Sequence, residues 1–241
     1  MKEDLEQLLK SLHLGRMAEI LDQELAEAAQ GQPTYEEFLS RLLRAQWHNR
    51  QETAVAYRIR QARLPETWTL ESYPYKKQPE LNQRQIRTLG ELDFMSRAEN
   101  IVFIGGTGIG KTGLASGILL KALQNGHRGL FIRAQDLFDE MYASMADRSS
   151  RQLLNRLAKI PLLVIDELGY INVKPEQSNI FFKLMEERYN RFSTIITTNL
   201  DFPEWHNFLG QQSLVDALLS RLRHHCHTIR IKGVSLREPQ G

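Results

Sequence analysis

The sequence predicts an α/β fold in which helices cover a mainly parallel β-sheet and a small all-helical region precedes it. From residue 100 onward, short segments rich in Ile, Leu, Val and Phe alternate with segments of helical length, as buried parallel strands alternate with their connecting helices. A glycine-rich segment at 105–112 separates the first of these strands from the helix that follows it. Residues 1–63 show only the apolar spacing of helices.

The composition is that of an ordinary globular protein. The chain has 241 residues, of which 41% are hydrophobic and 25% charged, so it can bury a sizeable core. No apolar run approaches bilayer length and the first ten residues are too charged for a secretion signal, so we expect no membrane partner. The single cysteine, Cys226, excludes a disulfide framework and favours a cytoplasmic location. The net charge of +2 is too small to indicate nucleic-acid binding by itself.

The helical region 1–63 carries an unusual density of arginine. Thr34 followed by Glu37 predicts a capping box that opens a long helix, and the second half of that helix has one acid, Glu52. Its arginines are Arg41, Arg44, Arg50, Arg58, Arg60 and Arg63. They could hold nucleic-acid phosphates, or they could form a solvated face against the acidic first helices. The residues leave both interpretations open.

The segment 64–80 predicts a linker that lies on a surface. It holds three prolines with Trp68, Tyr73 and Tyr75 between them. These aromatic side chains could line an adenine pocket or pack between domains. Residues 82–95 are expected to form one short helix.

The remaining elements alternate along the chain. The predicted strands are Asn100–Ile104, Gly129–Arg133, Pro161–Asp166, Thr194–Thr198 and Thr228–Lys232. The predicted helices are Thr112–Gln124, Ala134–Ala146, Arg151–Lys159, Pro175–Asn190 and Ser213–His225. This order favours a helix-covered, mainly parallel sheet.

The segment 105–112 has the spacing G-x-x-x-x-G-K-T between a strand and a helix. Its glycines let backbone N–H groups point at phosphate oxygens, and the helix start adds the positive end of its dipole. Lys111 can reach the β- and γ-phosphates, and the Thr112 hydroxyl can hold Mg²⁺. The segment therefore predicts binding of a nucleoside triphosphate. The predicted binding residues are Gly105, Gly106, Thr107, Gly108, Ile109, Gly110, Lys111 and Thr112.

Polar residues follow two later strands at the edge where a parallel sheet binds its ligands. Asp166 is the expected Mg²⁺ partner, and Glu167 is placed to polarise the attacking water as a general base. The alternative is a pair of acids in the first turn of a helix; the upstream loop favours the catalytic interpretation. Asn199, after the next strand, could position the water or sense the γ-phosphate.

Arg221 stands late in an amphipathic helix. It could supply charge to a neighbouring subunit's γ-phosphate as an arginine finger, or it could be a surface cation near a helix C-terminus. The run His224–His227 is not predicted to bind metal, because consecutive residues point in different directions and no second ligand pair has zinc-like spacing.

Taken in order, these motifs resemble those of AAA+ ATPases of the helicase-loader group, and more closely those of the IstB family of insertion-sequence helper ATPases. The resemblance covers nearly the whole chain. Its segments are LHLGRMAEIL, YEEFLSRLL, ARLPETWTLESYPY, ENIVFIGGTGIGKT, LLVIDELGY, NIFFKLMEERY, TIITTNL and the ending SRLRHH to IKGVSLR. LPETWTLESY and the combination of IDELGY with TTNL are the most specific of them.

The resemblance implies a bacterial protein that binds ATP and Mg²⁺, assembles on double-stranded DNA and works with a transposase encoded by the same element. It implies a helical DNA- or partner-binding domain at 1–63, a linker at 64–80 and an AAA+ ATPase domain at 81–241. It makes Asn199 the first sensor and Arg221 the finger of a self-associated AAA+ oligomer, whose ATP hydrolysis DNA would stimulate.

The family pattern also marks an insertion and two departures. Initiator-type relatives carry an extra DNA-contacting helix after the second strand, which would give such a role to Arg148 and Arg151. Gly113 stands where relatives often have a larger polar residue, and the chain ends soon after Arg237, without the helical lid of larger AAA+ proteins.

Other functions fit parts of the same pattern. A DnaC-like loader of a replicative helicase would share nearly the same core, and only the N-terminal region and linker favour transposition. A nucleotide switch would bind ATP with little hydrolysis, against which Glu167 and Asn199 argue. Nothing in the chain resembles the phosphoacceptor lid of a kinase.

Overall fold

The structure, a computed structural model, describes residues 2–65 and 68–236. Arg237 and two residues of the linker motif, Glu66 and Thr67, lie outside this part of the chain.

The chain divides into two compact units, Met1–Tyr57 and Arg58–Gly241. The division falls inside a continuous helix, a few residues before the domain boundary predicted at residue 63. The helix that carries five of the six arginines is therefore shared by both units, and Arg63 follows its last residue.

The first unit is helical, as predicted. It contains α1 (Lys2–Ser11), α2 (Gly15–Gly31) and most of α3 (Tyr35–Ala62). A small apolar core is formed by Leu9, Met17, Leu21 and Leu42. In the described part of the chain no helix is long and apolar enough to cross a membrane.

Two polar contacts define where these helices begin. The Thr34 N–H donates to Glu37 Oε2 at 2.9 Å, and the Glu37 N–H donates to Thr34 Oγ1 at 3.2 Å, which confirms the predicted capping box. Buried Gln46 accepts the N–H groups of Arg16 and Met17 at 3.0 and 3.2 Å, so it satisfies donors that the first turn of α2 leaves open.

The second unit contains a five-stranded sheet and the helices that flank it. The strands are β1 (Asn100–Ile104), β2 (Gly129–Arg133), β3 (Leu162–Leu168), β4 (Ser193–Thr198) and β5 (Cys226–Arg230). The helices are α4 (Gln83–Gly90), α5 (Asp93–Ser96), α6 (Lys111–Gln124), α7 (Ala134–Ala146), α8 (Ser150–Ala158), α9 (Pro175–Arg188), α10 (Trp205–Leu209) and α11 (Gln212–His224).

The strand order is β2-β3-β4-β1-β5 and all four pairings are parallel. Alternate residues of β1 face opposite layers: Ile101 and Phe103 pack in the cluster that contains α6, whereas Val102 and Ile104 pack in the cluster that contains α7, α9 and α11. Both faces are thus covered, which explains why the strands are apolar throughout.

Several details differ from the expectation, and β3 and α9 end two residues from their predicted limits. The helix predicted over 82–95 is two helices, because Leu92 has a left-handed backbone (φ 70°) that interrupts it. β5 begins two residues early, since Cys226 pairs with Asn100 at the start of β1. The short helix Trp205–Leu209 was not predicted.

Candidate active site

The glycine-rich loop joins the carboxyl end of β1 to α6, at the edge of the sheet where parallel strands bind ligands. Gly110 has φ +93°, a conformation that side chains rarely adopt. A Cβ there would lie 2.6 Å from the Tyr73 hydroxyl and 2.7 Å from Leu236 Cδ1. Glycine is therefore required both by the turn and by the segments packed on it.

The Lys111 ammonium lies folded over this loop. Its Nζ donates to the carbonyl oxygens of Gly105 at 2.7 Å and Gly106 at 2.6 Å, and the residue is only 7% exposed. The cation is therefore held among the backbone groups that cradle phosphate in such loops.

Asp166 meets Thr112 although 54 residues separate them in the chain. The Thr112 hydroxyl lies 3.0 and 3.1 Å from the two carboxylate oxygens, and the Thr197 hydroxyl donates to Asp166 Oδ1 at 2.5 Å. Burial raises the pKa of Asp166, and the hydrogen bonds from Thr197 and Thr112 offset part of that rise. The carboxylate is thus desolvated and held by two hydroxyls.

A bulge in β3 sets the orientation of Glu167. Ile165 pairs with Ile196 and Leu168 pairs with Thr198, so two residues of β3 stand opposite Thr197 alone. Glu167 itself has φ +61°, which is rare for a residue with a side chain, and its N–H donates to Thr197 Oγ1 at 2.9 Å. The bulge places consecutive acids differently: Asp166 is buried and Glu167 is exposed in the pocket.

A single pocket joins these groups to side chains that were not predicted to act in catalysis. Lys111, Thr112, Asp166 and Glu167 line it, and so do Trp68, Arg133, Thr197, Tyr170 and Leu236. Leu236 is tied to the loop, since its N–H donates to the Gly108 carbonyl at 2.7 Å. Apart from the aromatic residues of the linker, this second group was given no role from the sequence, although Tyr170, Thr197 and Leu236 fall within the family segments.

The linker residues 68–73 pack on α6 at its glycines. A Cβ at Gly113 would lie 2.9 Å from Trp68 Cε3, and one at Gly117 would lie 2.8 Å from Leu70 Cδ2. The Tyr73 hydroxyl donates to the Ile109 carbonyl at 3.1 Å. Gly113 is thus the residue that admits the Trp68 ring.

The remaining predicted catalytic residues lie elsewhere. Asn199 is exposed just after β4, where its Oδ1 would be 2.9 Å from a Cβ on Gly169; it is not among the residues that line the pocket. Arg221 lines a different cavity with Asn100 and Thr194, which stand at the amino ends of their strands. It is therefore at the sheet edge opposite the loop, where its guanidinium lies 3.5 Å from Glu186 Oε1.

The predicted nucleic-acid arginines do not share one environment. Arg41, Arg44, Arg50, Arg60 and Arg63 are exposed. Arg58 is half-buried, and its Nε donates to the Leu123 carbonyl at 2.8 Å near the end of α6. Arg63 lies 3.6 Å from Glu140. Arg58 thus has a structural role within the second unit.

Two histidines of the run His224–His227 contact other side chains. His227 lies 2.8 Å from Glu99, and the His224 ring lies 3.2 Å from the Tyr189 hydroxyl. Over the described residues 2–65 and 68–236, no group of three or more His, Cys, Asp or Glu side chains could hold a metal ion.

The amino-acid sequence matches the model of a known protein family. Residues 7–240 match the family described as IstB-like ATP binding protein. The chain belongs to this family. This IstB-like protein is 35% identical over 234 residues to an insertion sequence IS21 ATP-binding protein of Pseudomonas aeruginosa, covering 97% of the chain and 88% of the relative. It is also 35% identical over 237 residues to an IS5376 ATP-binding protein of Geobacillus stearothermophilus, covering 98% and 94%.

A crystal structure of the DnaC helicase loader matches the IstB-like protein with a TM-score of 0.58 and 25% identity, covering 68% of this chain and 96% of that one. The AAA+ fold, the binding of ATP and membership of the P-loop ATPases are thereby confirmed.

The residues of the IstB-like site suit a magnesium ion. A carboxylate and a hydroxyl, from Asp166 and Thr112, converge beside the phosphate loop, and Mg²⁺ prefers such oxygen ligands together with phosphates and water. A divalent cation here would also stabilise the charge of a carboxylate whose pKa burial raises.

Proposed function

We propose that this protein is an ATP-dependent, DNA-binding helper of transposition that assembles on double-stranded DNA and stimulates or directs the transposase of its own element. The observation that carries the proposal is an assembled hydrolysis site in a chain whose close relatives are named as insertion-sequence ATP-binding proteins. DNA binding, the transposase and the oligomer are the proposed parts.

In the proposed reaction, each residue of the site has one task. Lys111 neutralises charge on the β- and γ-phosphates, and Thr112 with Asp166 would hold Mg²⁺, which supplies positive charge to the phosphate oxygens. Glu167 accepts a proton from the attacking water, because the bulge presents its carboxylate to the pocket. Thr197 keeps both acids in place through its two hydrogen bonds.

Arg221 would complete the site only between subunits. It lies at the amino edge of the sheet, whereas the phosphate loop lies at the carboxyl edge of the same sheet. It cannot therefore serve its own nucleotide, but an exposed guanidinium at that edge suits the γ-phosphate of a neighbouring copy. This supports self-association into an AAA+ oligomer. Asn199 keeps its proposed role as a sensor beside the segment that follows Glu167.

The proposed DNA contacts come from α3. Arg41 and Arg44 are three residues apart, so they share one helical face, and both are exposed. Arg50 and Arg60 add exposed cations along the same helix, and exposed Arg63 follows its last residue. A second proposed contact region follows β2. It contains Arg148, which lies between α7 and α8, and Arg151, which lies in the first turn of α8.

The test measures ATPase activity and DNA binding of the full chain with and without duplex DNA, across a salt titration with ATP present. Removing one cation that binds a DNA phosphate should reduce the slope of log K against log salt by about 0.9. Replacing Arg41 and Arg44 with Gln should therefore lower it by roughly two, whereas the matched control Arg16→Gln, exposed beside Glu19 in the same unit, should leave it unchanged. Absence of DNA binding at low salt would contradict the proposal.

A helicase loader is the second candidate, favoured by the likeness to the DnaC structure. Affinity capture with the full chain, ATP and either the element's transposase or a hexameric replicative helicase separates the two. Retention of the helicase alone would favour loading over transposition.

A further inference from the structure

A hydroxyl pair bridges the phosphate loop and the segment after the catalytic acids. Tyr170 Oη lies 3.0 Å from Thr107 Oγ1, and both residues line the pocket that contains Lys111 and Glu167. Neither the chemistry proposed above nor the motif spacing gives Tyr170 a task.

The backbone that carries Tyr170 is held in place by close packing. Gly169 has φ +108°, and a Cβ there would lie 2.6 Å from Leu200 Cγ and 2.9 Å from Asn199 Oδ1. Only glycine fits, so the segment lies directly against the end of β4. The Tyr170 side chain, in contrast, is 45% exposed and has room to change its hydrogen-bond partner.

The pair lies at the terminal-phosphate end of the loop. Lys111 Nζ bonds the carbonyl groups of Gly105 and Gly106, the two residues before Thr107, and the lysine of such a loop serves the β- and γ-phosphates. A phenol has one hydrogen to donate. A charged phosphate oxygen is a stronger acceptor for it than the neutral threonine hydroxyl.

We propose that Tyr170 binds the terminal phosphate of ATP, its hydroxyl exchanging Thr107 for a phosphate oxygen. The hydroxyl donates a hydrogen bond and transfers no proton. ADP has no terminal phosphate to offer, so with ADP the tyrosine keeps its bond to Thr107. The hydrogen-bond partner of Tyr170 therefore depends on whether ATP or ADP is bound, and Tyr170 belongs to the same segment as Glu167. This inference rests on the proposed function, since it requires a triphosphate whose terminal phosphate lies beside Lys111.

The experiment compares two dissociation constants on each full-length variant, one for ADP and one for a non-hydrolysable ATP analogue, both with Mg²⁺. Tyr170→Phe should weaken binding of the triphosphate about tenfold, as expected for one hydrogen bond to a charged acceptor, and leave ADP unchanged. The matched control is Tyr142→Phe, which removes the same hydroxyl from a half-exposed tyrosine of α7 that does not line the pocket. It should change neither affinity.

The ratio of the two affinities does not depend on the folded fraction of the sample, so a loss of stability cannot imitate the result. Equal weakening of ADP and triphosphate, or no weakening of either, would overturn the proposal. A loss of triphosphate affinity in Tyr142→Phe equal to that in Tyr170→Phe would also overturn it, because Tyr142 lies outside the pocket. Wild-type protein that fails to bind the triphosphate would instead contradict the proposed function itself.

Discussion

The Thr197 hydroxyl should stabilise the carboxyl edge of the sheet and increase the rate of ATP hydrolysis. Its side chain is fully buried, donates to Asp166 Oδ1 at 2.5 Å and accepts the Glu167 N–H at 2.9 Å. Thr197→Val keeps the shape and removes both bonds. Removing a hydrogen bond to a charged group costs about 1.5–3 kcal/mol, and removing a neutral one costs about 1 kcal/mol. The added methyl regains roughly 0.8 kcal/mol.

The net loss for Thr197→Val is therefore about 2–3 kcal/mol. That corresponds to a fall in Tm of roughly 4–12 °C for a unit of this size, measured by thermal denaturation without nucleotide. ATP turnover should fall about 10–100-fold, because the amide that orients Glu167 loses its acceptor. Thr197→Ser retains the hydroxyl and should keep most of the turnover.

A pH profile separates this explanation from a general loss of packing. The Thr197 hydrogen bond lowers the pKa of Asp166 against the rise caused by burial, so its removal raises that pKa further. Asp166 must be ionised to hold Mg²⁺, and the acidic limb of the turnover profile should therefore move to higher pH in Thr197→Val. An unmoved limb together with wild-type turnover would refute the reasoning.

Three further substitutions test the energetics. Asp166→Asn should abolish ATP turnover, yet it should raise the Tm of the nucleotide-free protein by a few degrees at neutral pH. The reason is that the pKa of Asp166 in the folded state lies above its unfolded value, so the stability of the wild type falls as the pH rises through that interval. A lower Tm would contradict this. Arg188 is 1% exposed, its guanidinium bonds the carbonyl groups that end α8, and burial lowers its pKa to about 9, so it is still charged at neutral pH. Arg188→Met leaves the buried carbonyl groups of Leu157 and Ile160 without their donor, and it should lower the free energy of unfolding by about 2–4 kcal/mol in a urea titration. Exposed Arg191→Met should change it by less than about 0.5 kcal/mol. Gly113→Thr should cost about 1–3 kcal/mol by forcing a Cβ against the Trp68 ring, and the cost should shrink in a Trp68→Ala background if the clash is its cause.

The sequence predicted most of the fold because its signals are local. Strand and helix periodicities are read within a few residues, and β1, β2 and α7 have the predicted bounds. Errors at the ends of strands fall where tertiary pairing sets the limits. β5 begins at Cys226 because its partner β1 begins at Asn100, and no pattern within β5 contains that information.

The capping box shows the same distinction at the scale of one turn. Thr34 and Glu37 satisfy each other within four residues, so their spacing predicted the contact. Gln46 caps α2 from 30 residues away and had no recognisable signal. The sequence likewise did not distinguish Arg58 from the other five arginines, because its hydrogen bond to the Leu123 carbonyl is a tertiary contact.

At the active site, the sequence by itself determined the phosphate loop and the two acids. The loop is one continuous segment whose spacing follows from the phosphate it must surround, and an acid pair after an apolar strand is visible in the order of residues. Only the tertiary structure decided which side chains complete the pocket. Thr197 stands 30 residues from Glu167, and Tyr170 stands 63 residues from Thr107. Parallel pairing of β3 with β4 brings such residues together, and the bulge turns Asp166 inward and Glu167 outward. The sequence does not show this because the contacts that orient these residues lie between strands and not along the chain.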